Sequence, residues 1–207
     1  MAGENSFKKN YHRYDQWFDN NKDSYKLELE VLKKFVPKNG KGLESGVGTG
    51  KFAVPLNVEY GIDPVFEMFE KAKEQGVKTV CAKGEKLPFQ SEVFDFVLAV
   101  TTICFYDDIL SSFEEAFCVI KKGGVFILGF VDKGSWLGEI YQEKKEKSPF
   151  YKDAVFYSAE EIKGILELAG FSGFEFGQTL LQEEKNAVIQ GYGKGGFAAI
   201  KAVKGGF

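Results

Sequence analysis

Apolar positions along the chain fall into two kinds of run, and the two kinds alternate. Phe94 to Val100 is almost continuously apolar, as a strand buried on both faces should be. Val58 to Ile62, Val77 to Cys81 and Val125 to Phe130 read as further strands, and Leu43 leads a brief first one. Between these runs the spacing becomes helical. Leu27, Val31, Leu32 and Phe35 mark a helix over Ser24 to Val36, stopped by the turn Pro37-Lys38-Asn39-Gly40. Phe66 to Gln75 reads as another, closed by Gly76, and Asp107 to Ile120 as a third, followed by the turn Lys121-Lys122-Gly123-Gly124. A short helix is expected after Gly50, because Pro55 and Asn57 punctuate that stretch. Strand and helix in this alternation predict an α/β, doubly wound, mostly parallel sheet in one domain over 1–207. Ser158-Ala159-Glu160-Glu161 has the form of a capping box and opens a helix that ends at Gly170. Two strand-like segments follow, Gly173 to Leu181 and Gly195 to Val203, joined by a polar, glycine-bearing link.

Ahead of the first strand, Tyr11, Tyr14 and Trp17/Phe18 recur at helical spacing and form one aromatic stripe. That stripe reads equally as a lid over a pocket or as a helix packed on the sheet. His12, the only histidine, could act as a general base or simply lie among aromatic rings. The regular rhythm breaks at 131–157, where Trp136, Tyr141 and Phe150 surround a lysine-rich run. A long connection at the ligand edge reads as a substrate-facing insert, with a solvated helix as the bland alternative.

Composition narrows the class. With 207 residues, 44% hydrophobic and 28% charged, the chain can bury a full core. The polar stretch Met1 to Asn10 and the lack of any long apolar run point to a cytoplasmic protein without a membrane span. A net charge of -3 makes nucleic acid a poor partner. Cys81, Cys104 and Cys118 lie in apolar contexts without paired spacing, so they are expected as buried small hydrophobes rather than disulfides or metal ligands.

The candidate chemistry begins at Leu43-Glu44-Ser45-Gly46-Val47-Gly48-Thr49-Gly50. Glycines at alternate positions let a chain leave a strand and turn sharply while a ligand lies against bare backbone. A phosphate-cradling loop would need Gly-Lys-Ser/Thr, but Gly50-Lys51 is followed by Phe52. The dinucleotide fingerprint would need a third glycine at Lys51. An acid followed by three alternate glycines remains, which suits a ligand with a cationic ammonium rather than a phosphate. Asp63, at the end of the expected second strand, stands where a Rossmann-like unit accepts ribose hydroxyls.

These residues resemble the class I S-adenosylmethionine-dependent methyltransferases, in particular the small methyltransferase type 11 group. Glu44 to Gly50 resembles the first motif of that family and Tyr60-Gly61-Ile62-Asp63-Pro64-Val65-Phe66-Glu67-Met68 the second. Cys81-Ala82-Lys83-Gly84-Glu85-Lys86-Leu87-Pro88-Phe89 resembles the third, and Phe94 to Thr101 the strand beneath the sulfonium. Likeness continues to Gly124, and Tyr14-Asp15-Gln16-Trp17 is similar to a family segment near the amino-acid end of the cofactor. The resemblance implies a Rossmann-like sheet of seven strands closed by a C-terminal antiparallel hairpin, with 1–38 as a helical lid. It implies S-adenosylmethionine as cofactor, no metal, and a cofactor site built from Tyr14, Trp17, Glu44, Gly46, Gly48, Asp63, Pro64, Met68, Gly84, Glu85 and Thr101. Glu44 with the Gly46 and Gly48 backbone would hold the amino-acid end, Asp63 the ribose, and Gly84 and Glu85 the adenine. Lys83 replaces an aspartate common in the family. Met68 reads either as a contact to adenine or as ordinary core.

A small-molecule methyl acceptor is implied, and with one histidine a small amine fits better than a phenol. Oligomeric state is not written in the pattern. A nicotinamide-dependent oxidoreductase and a non-catalytic, cofactor-binding partner subunit are the rival readings.

Overall fold

The computed structural model describes residues 2–183 and 187–205. Met1, 184–186 and 206–207, which belong to the N-terminal stretch, the polar link and the glycine-rich tail, lie outside the described residues. In chain order the elements are α1 (Ala2–Asn20), α2 (Lys22–Lys33), β1 (Gly42–Ser45), β2 (Tyr60–Asp63), α3 (Phe66–Glu74), β3 (Lys78–Cys81), β4 (Phe94–Val100), α4 (Ile109–Val119), β5 (Ile120–Val131), α5 (Trp136–Lys144), α6 (Ala159–Leu168), β6 (Phe171–Thr179), β7 (Ile189–Gln190) and β8 (Phe197–Lys204).

The strands form one sheet in the order β3-β2-β1-β4-β5-β8-β6-β7. From β3 to β5 neighbours are parallel, while β8 runs antiparallel to both β5 and β6. The expected doubly wound α/β fold is therefore present, with antiparallel strands at its C-terminal side. Two residues of β7 bring the strand number to eight where seven were expected, and β8 inserts between β5 and β6 rather than standing at an edge.

From Phe96 onward, alternation along β4 divides the core, because successive side chains of a strand point to opposite faces, and the register shift between Phe94 and Phe96 puts Phe94 with Val97. Phe94, Val97 and Ala99 join Phe113, Phe126, Ile162 and Leu166 beneath α4 and α6. Phe96, Leu98 and Val100 join Phe18, Val31, Leu32, Phe69 and Phe197 beneath α1, α2 and α3. Local capping starts three of the helices. Asp108 accepts from the Ser111 amide and Ser135 from the Gly138 amide. Ser158 and Glu161 form the predicted reciprocal box, with the Ser158 amide donating to Glu161 at 2.7 Å.

Three expectations are corrected. No helix follows Gly50: 51–57 is a series of turns, since Pro55 has no amide to donate and Asn57 adopts φ 55°. Lys121 to Gly124 is not a free turn but an irregular start of β5, anchored by the buried Ile120 pairing with Phe94. Cys81 and Cys118 are exposed and Cys104 half-buried, because β3 is an edge strand and Cys118 lies on the solvent side of α4, beside Ser91.

Replacing Ser158 with alanine removes one side of the capping box. Urea unfolding should show a loss of about 1 kcal/mol, and an unchanged midpoint would mean that the box contributes nothing.

Candidate cofactor site

Parallel β1 and β4 are neighbours whose following connections leave in opposite directions, so a crevice opens at their carboxyl ends, where ligands of such sheets bind. A cavity of about 360 Å³ fills this crevice. Its wall includes Tyr14, Gly46, Gly48, Asp63, Pro64 and Met68. Gly84, Glu85 and Thr101 complete the predicted residues brought to it.

The glycine loop is shaped by its own amide bonds. Gly46 and Val47 donate to the Ile62 carbonyl at 2.9 and 2.8 Å, and Gly48 donates to Asp63 Oδ2 at 3.0 Å. Val65 donates to Asp63 Oδ1 at 2.8 Å, so one buried carboxylate clamps the loop to the end of β2. The amides of Gly46, Val47 and Gly48 are thus engaged within the protein. Gly46 has φ 76°, and a Cβ there would lie 2.1 Å from Thr102 Oγ1, so only glycine fits.

Glu44 sits at the base of the loop, 1% exposed. Burial pushes its carboxyl well above the usual range, against a backbone bond from Ala53 that favours the charged form. Its Oε2 is buried with no hydrogen-bond partner. Glu44 is not among the residues on the cavity wall; its orphaned oxygen lies at the end of β1, two residues before Gly46.

Helices α1 and α2 are tied to the same loop. Thr49 donates to Asp15 at 2.6 Å, and the Tyr25 hydroxyl donates to the Lys51 carbonyl. These bonds bring Tyr14 and Phe7 onto the cavity wall. Trp17 is not brought there; it packs edge-on against Phe18 in the second core layer. His12 is exposed and stacks on Tyr11, away from the cavity.

On the adenine side, Glu85 accepts from the Asp107 amide at 2.8 Å, and Lys83 pairs with Asp107 at 3.0 Å. Glu85 therefore braces the segment before α4 as well as lining the cavity. Gly84 packs so closely that a Cβ would stand 2.8 Å from the Tyr106 ring, whose hydroxyl bonds Ser45 Oγ at 2.8 Å. Burial raises the Tyr106 and Tyr14 hydroxyls far above their usual range, so both remain protonated. Phe7, Thr102, Phe105, Tyr106 and Asp153 also line the cavity and were not anticipated. Only the aromatic density after Thr101 in the sequence hinted at them.

Residues 43–128 match the family described as methyltransferase domain. A solved S-adenosylmethionine-dependent methyltransferase from Thermotoga maritima is 41% identical, superposes with a TM-score of 0.93, and the alignment covers 98% of this chain and 99% of that one. This chain belongs to the S-adenosylmethionine-dependent methyltransferases. An uncharacterised Methanocaldococcus jannaschii protein is 48% identical across 97% of the chain and 99% of its own length. An Archaeoglobus fulgidus methyltransferase shares the fold at 16% identity, with a TM-score of 0.73 over 94% of this chain and 99% of that one.

The residues present fit the cofactor of this methyltransferase family. Glu44 and the backbone at Gly46 and Gly48 would take its amino-acid end, Asp63 its ribose and the Gly84 backbone its adenine. Replacing Asp63 with alanine should weaken S-adenosylhomocysteine binding about tenfold to a hundredfold by titration calorimetry. It should also lower stability by about 1–3 kcal/mol through the two stranded amides. An unchanged dissociation constant would move the ribose elsewhere.

Proposed function

We propose that this methyltransferase acts on the nitrogen of a small amine. The observation that carries the reading is a second, smaller cavity on the other side of Thr101, lined by Tyr141, Tyr151, Phe156 and Tyr157. Thr101 belongs to both cavities. Its φ of 50° and the amide bond to the Gly129 carbonyl at 2.7 Å hold it rigidly between them. Phe105 of the cofactor wall stacks on Tyr151 of the second cavity, so one aromatic partition separates the two.

Aromatic faces attract cationic nitrogen and offer nothing specific to a carboxylate. An amine nucleophile needs only to lose a proton, whereas a phenol or carbon acid needs a dedicated base near the reacting atom. The sole histidine lies outside the cavity wall, which favours the amine. The Thermotoga maritima relative carries the description "possible histamine N-methyltransferase", which agrees with this reading.

The cofactor supplies a methyl group already activated by its sulfonium charge. What this chain has to do is hold two reactants in line and keep water out. Phe7, Tyr14, Phe105 and Tyr151 enclose the junction. Of the expected insert residues, Tyr141 reaches the second cavity and Phe150 packs on Phe7. Trp136 instead donates to the Leu180 carbonyl at 3.0 Å and anchors α5.

Incubation with methyl-tritiated S-adenosylmethionine and a panel of primary amines, phenols and carboxylates tests the reading. Label should appear on amines; label confined to phenols or carboxylates would overturn it.

A further inference from the structure

Five charged side chains stand on the wall of the cofactor cavity: Asp63, Lys83, Glu85, Asp107 and Asp153. Four of them are engaged within the protein. Asp63 takes the Gly48 and Val65 amides, Glu85 takes those of Asp107 and Asp108, and Lys83 pairs with the Asp107 carboxylate at 3.0 Å. Asp153 is the exception. Among the described residues no group donates to its carboxylate and no cation pairs with it, although Lys144, Lys145, Lys147 and Lys152 belong to the same stretch of chain.

The backbone around Asp153 is held on both sides. Ser148 Oγ accepts from the Phe150 and Tyr151 amides, each at 3.2 Å, and the Ala154 amide donates to the Tyr151 carbonyl at 3.0 Å. One residue on, the Val155 amide donates to the Cys104 carbonyl at 2.8 Å, and Ala154 between them is fully buried. These bonds fasten the turn to the segment that runs from Thr101 to Phe105. Asp153 is on the wall and also exposed, which places it at the mouth of the cavity. Aromatic rings share that region: Tyr151 stacks on Phe105 with centroids 5.8 Å apart, and Phe7 meets Phe105 at 5.0 Å and Phe150 at 5.1 Å. A carboxylate that no protein group neutralises, on a wall with aromatic rings, has the composition of a cation site.

The cation such a site takes is not the nitrogen that reacts. An ammonium and a carboxylate open to solvent normally titrate about six pH units apart, so pairing leaves the proton on nitrogen. An attacking amine needs the lone pair which that proton occupies. Thr101, which the two cavities share, lies on the same wall as Asp153, so one ligand can reach both.

We propose that Asp153 selects the methyl acceptor by charge: the acceptor carries two basic nitrogens, and Asp153 receives the ammonium of the one that is not methylated while the other reaches the junction at Thr101 as the free base. The proposal rests on the N-methylation reading. Asp153 forms no bond with the reacting atoms and moves no proton; it sets which amines are held. A seated ammonium also disfavours charge on the second nitrogen of the same small molecule, which helps to present that nitrogen uncharged.

The test uses the full chain saturated with S-adenosylhomocysteine and two pairs of probes, titrated by calorimetry. The first pair is 1,4-bis(aminomethyl)benzene and 4-ethylbenzylamine; the second is 1,4-diaminobutane and pentylamine. Within each pair a methyl group replaces one ammonium and the shape is kept. A diamine should bind about threefold to tenfold tighter than its partner, and added salt should shrink the difference. Asp153→Asn should bring the two to within about twofold, and Asp153→Lys should reverse the preference, with S-adenosylhomocysteine affinity unchanged within about twofold in both variants. Asp153 is exposed and has no partner among the described residues, so both variants should melt with the parent. Equal binding in both pairs, no diamine binding, or a preference that survives both substitutions overturns the proposal. A larger loss of S-adenosylhomocysteine affinity in Asp153→Asn also overturns it, because the acid then belongs to the cofactor. Label transfer to amines without any diamine preference removes Asp153 and leaves N-methylation standing. Label found only on phenols, with Asp153-dependent diamine binding intact, removes N-methylation and leaves the cation seat.

Discussion

The clamp that Asp63 places on the glycine loop is the constraint from which the rest of the site follows. One carboxylate at the end of β2 takes the amides of Gly48 and Val65, and the Ile62 carbonyl beside it takes those of Gly46 and Val47. With its donors turned inward, the loop no longer resembles a phosphate cradle, which works by pointing amides at the ligand. The same loop carries α1 through Thr49 and Asp15 and α2 through Lys51 and Tyr25, so the aromatic cover over the cavity inherits its position from the clamp.

Two buried acids give this arrangement its chemical direction. Glu44 and Glu28 both lie in surroundings that penalise their charge, and neither meets a described cation. A fold of this size tolerates such groups only at a stability cost, since net stability is small against the terms that make it. Both acids, with Asp63 and Asp15, hold the Tyr14 hydroxyl protonated. Glu44 keeps an unpartnered oxygen beside the glycine loop, and a ligand that brings a positive charge would answer it.

Much of this was legible in the sequence, and what was not has physical causes. The apolar run from Phe94 to Val100 coincides with β4 to the residue, because a strand buried on both faces has a composition that no solvent-facing element shares. Ser158 and Glu161 announced α6 through a local motif that owes nothing to tertiary context. Position 84 and the glycines of the loop were legible for the same reason: only glycine fits the space or the φ. Trp17 misled because an aromatic stripe on a helix has two apolar neighbours to choose from, and core packing took this ring. Glu85 was read as a ligand group, yet its carboxylate accepts from the amides of Asp107 and Asp108, a pairing across 22 and 23 residues that no periodicity encodes. Glu28 passed unnoticed among the charged positions of α2, since a sequence cannot say which face of a helix loses its water. The exposed cysteines reflect the converse, an apolar context at a sheet edge that solvent still reaches.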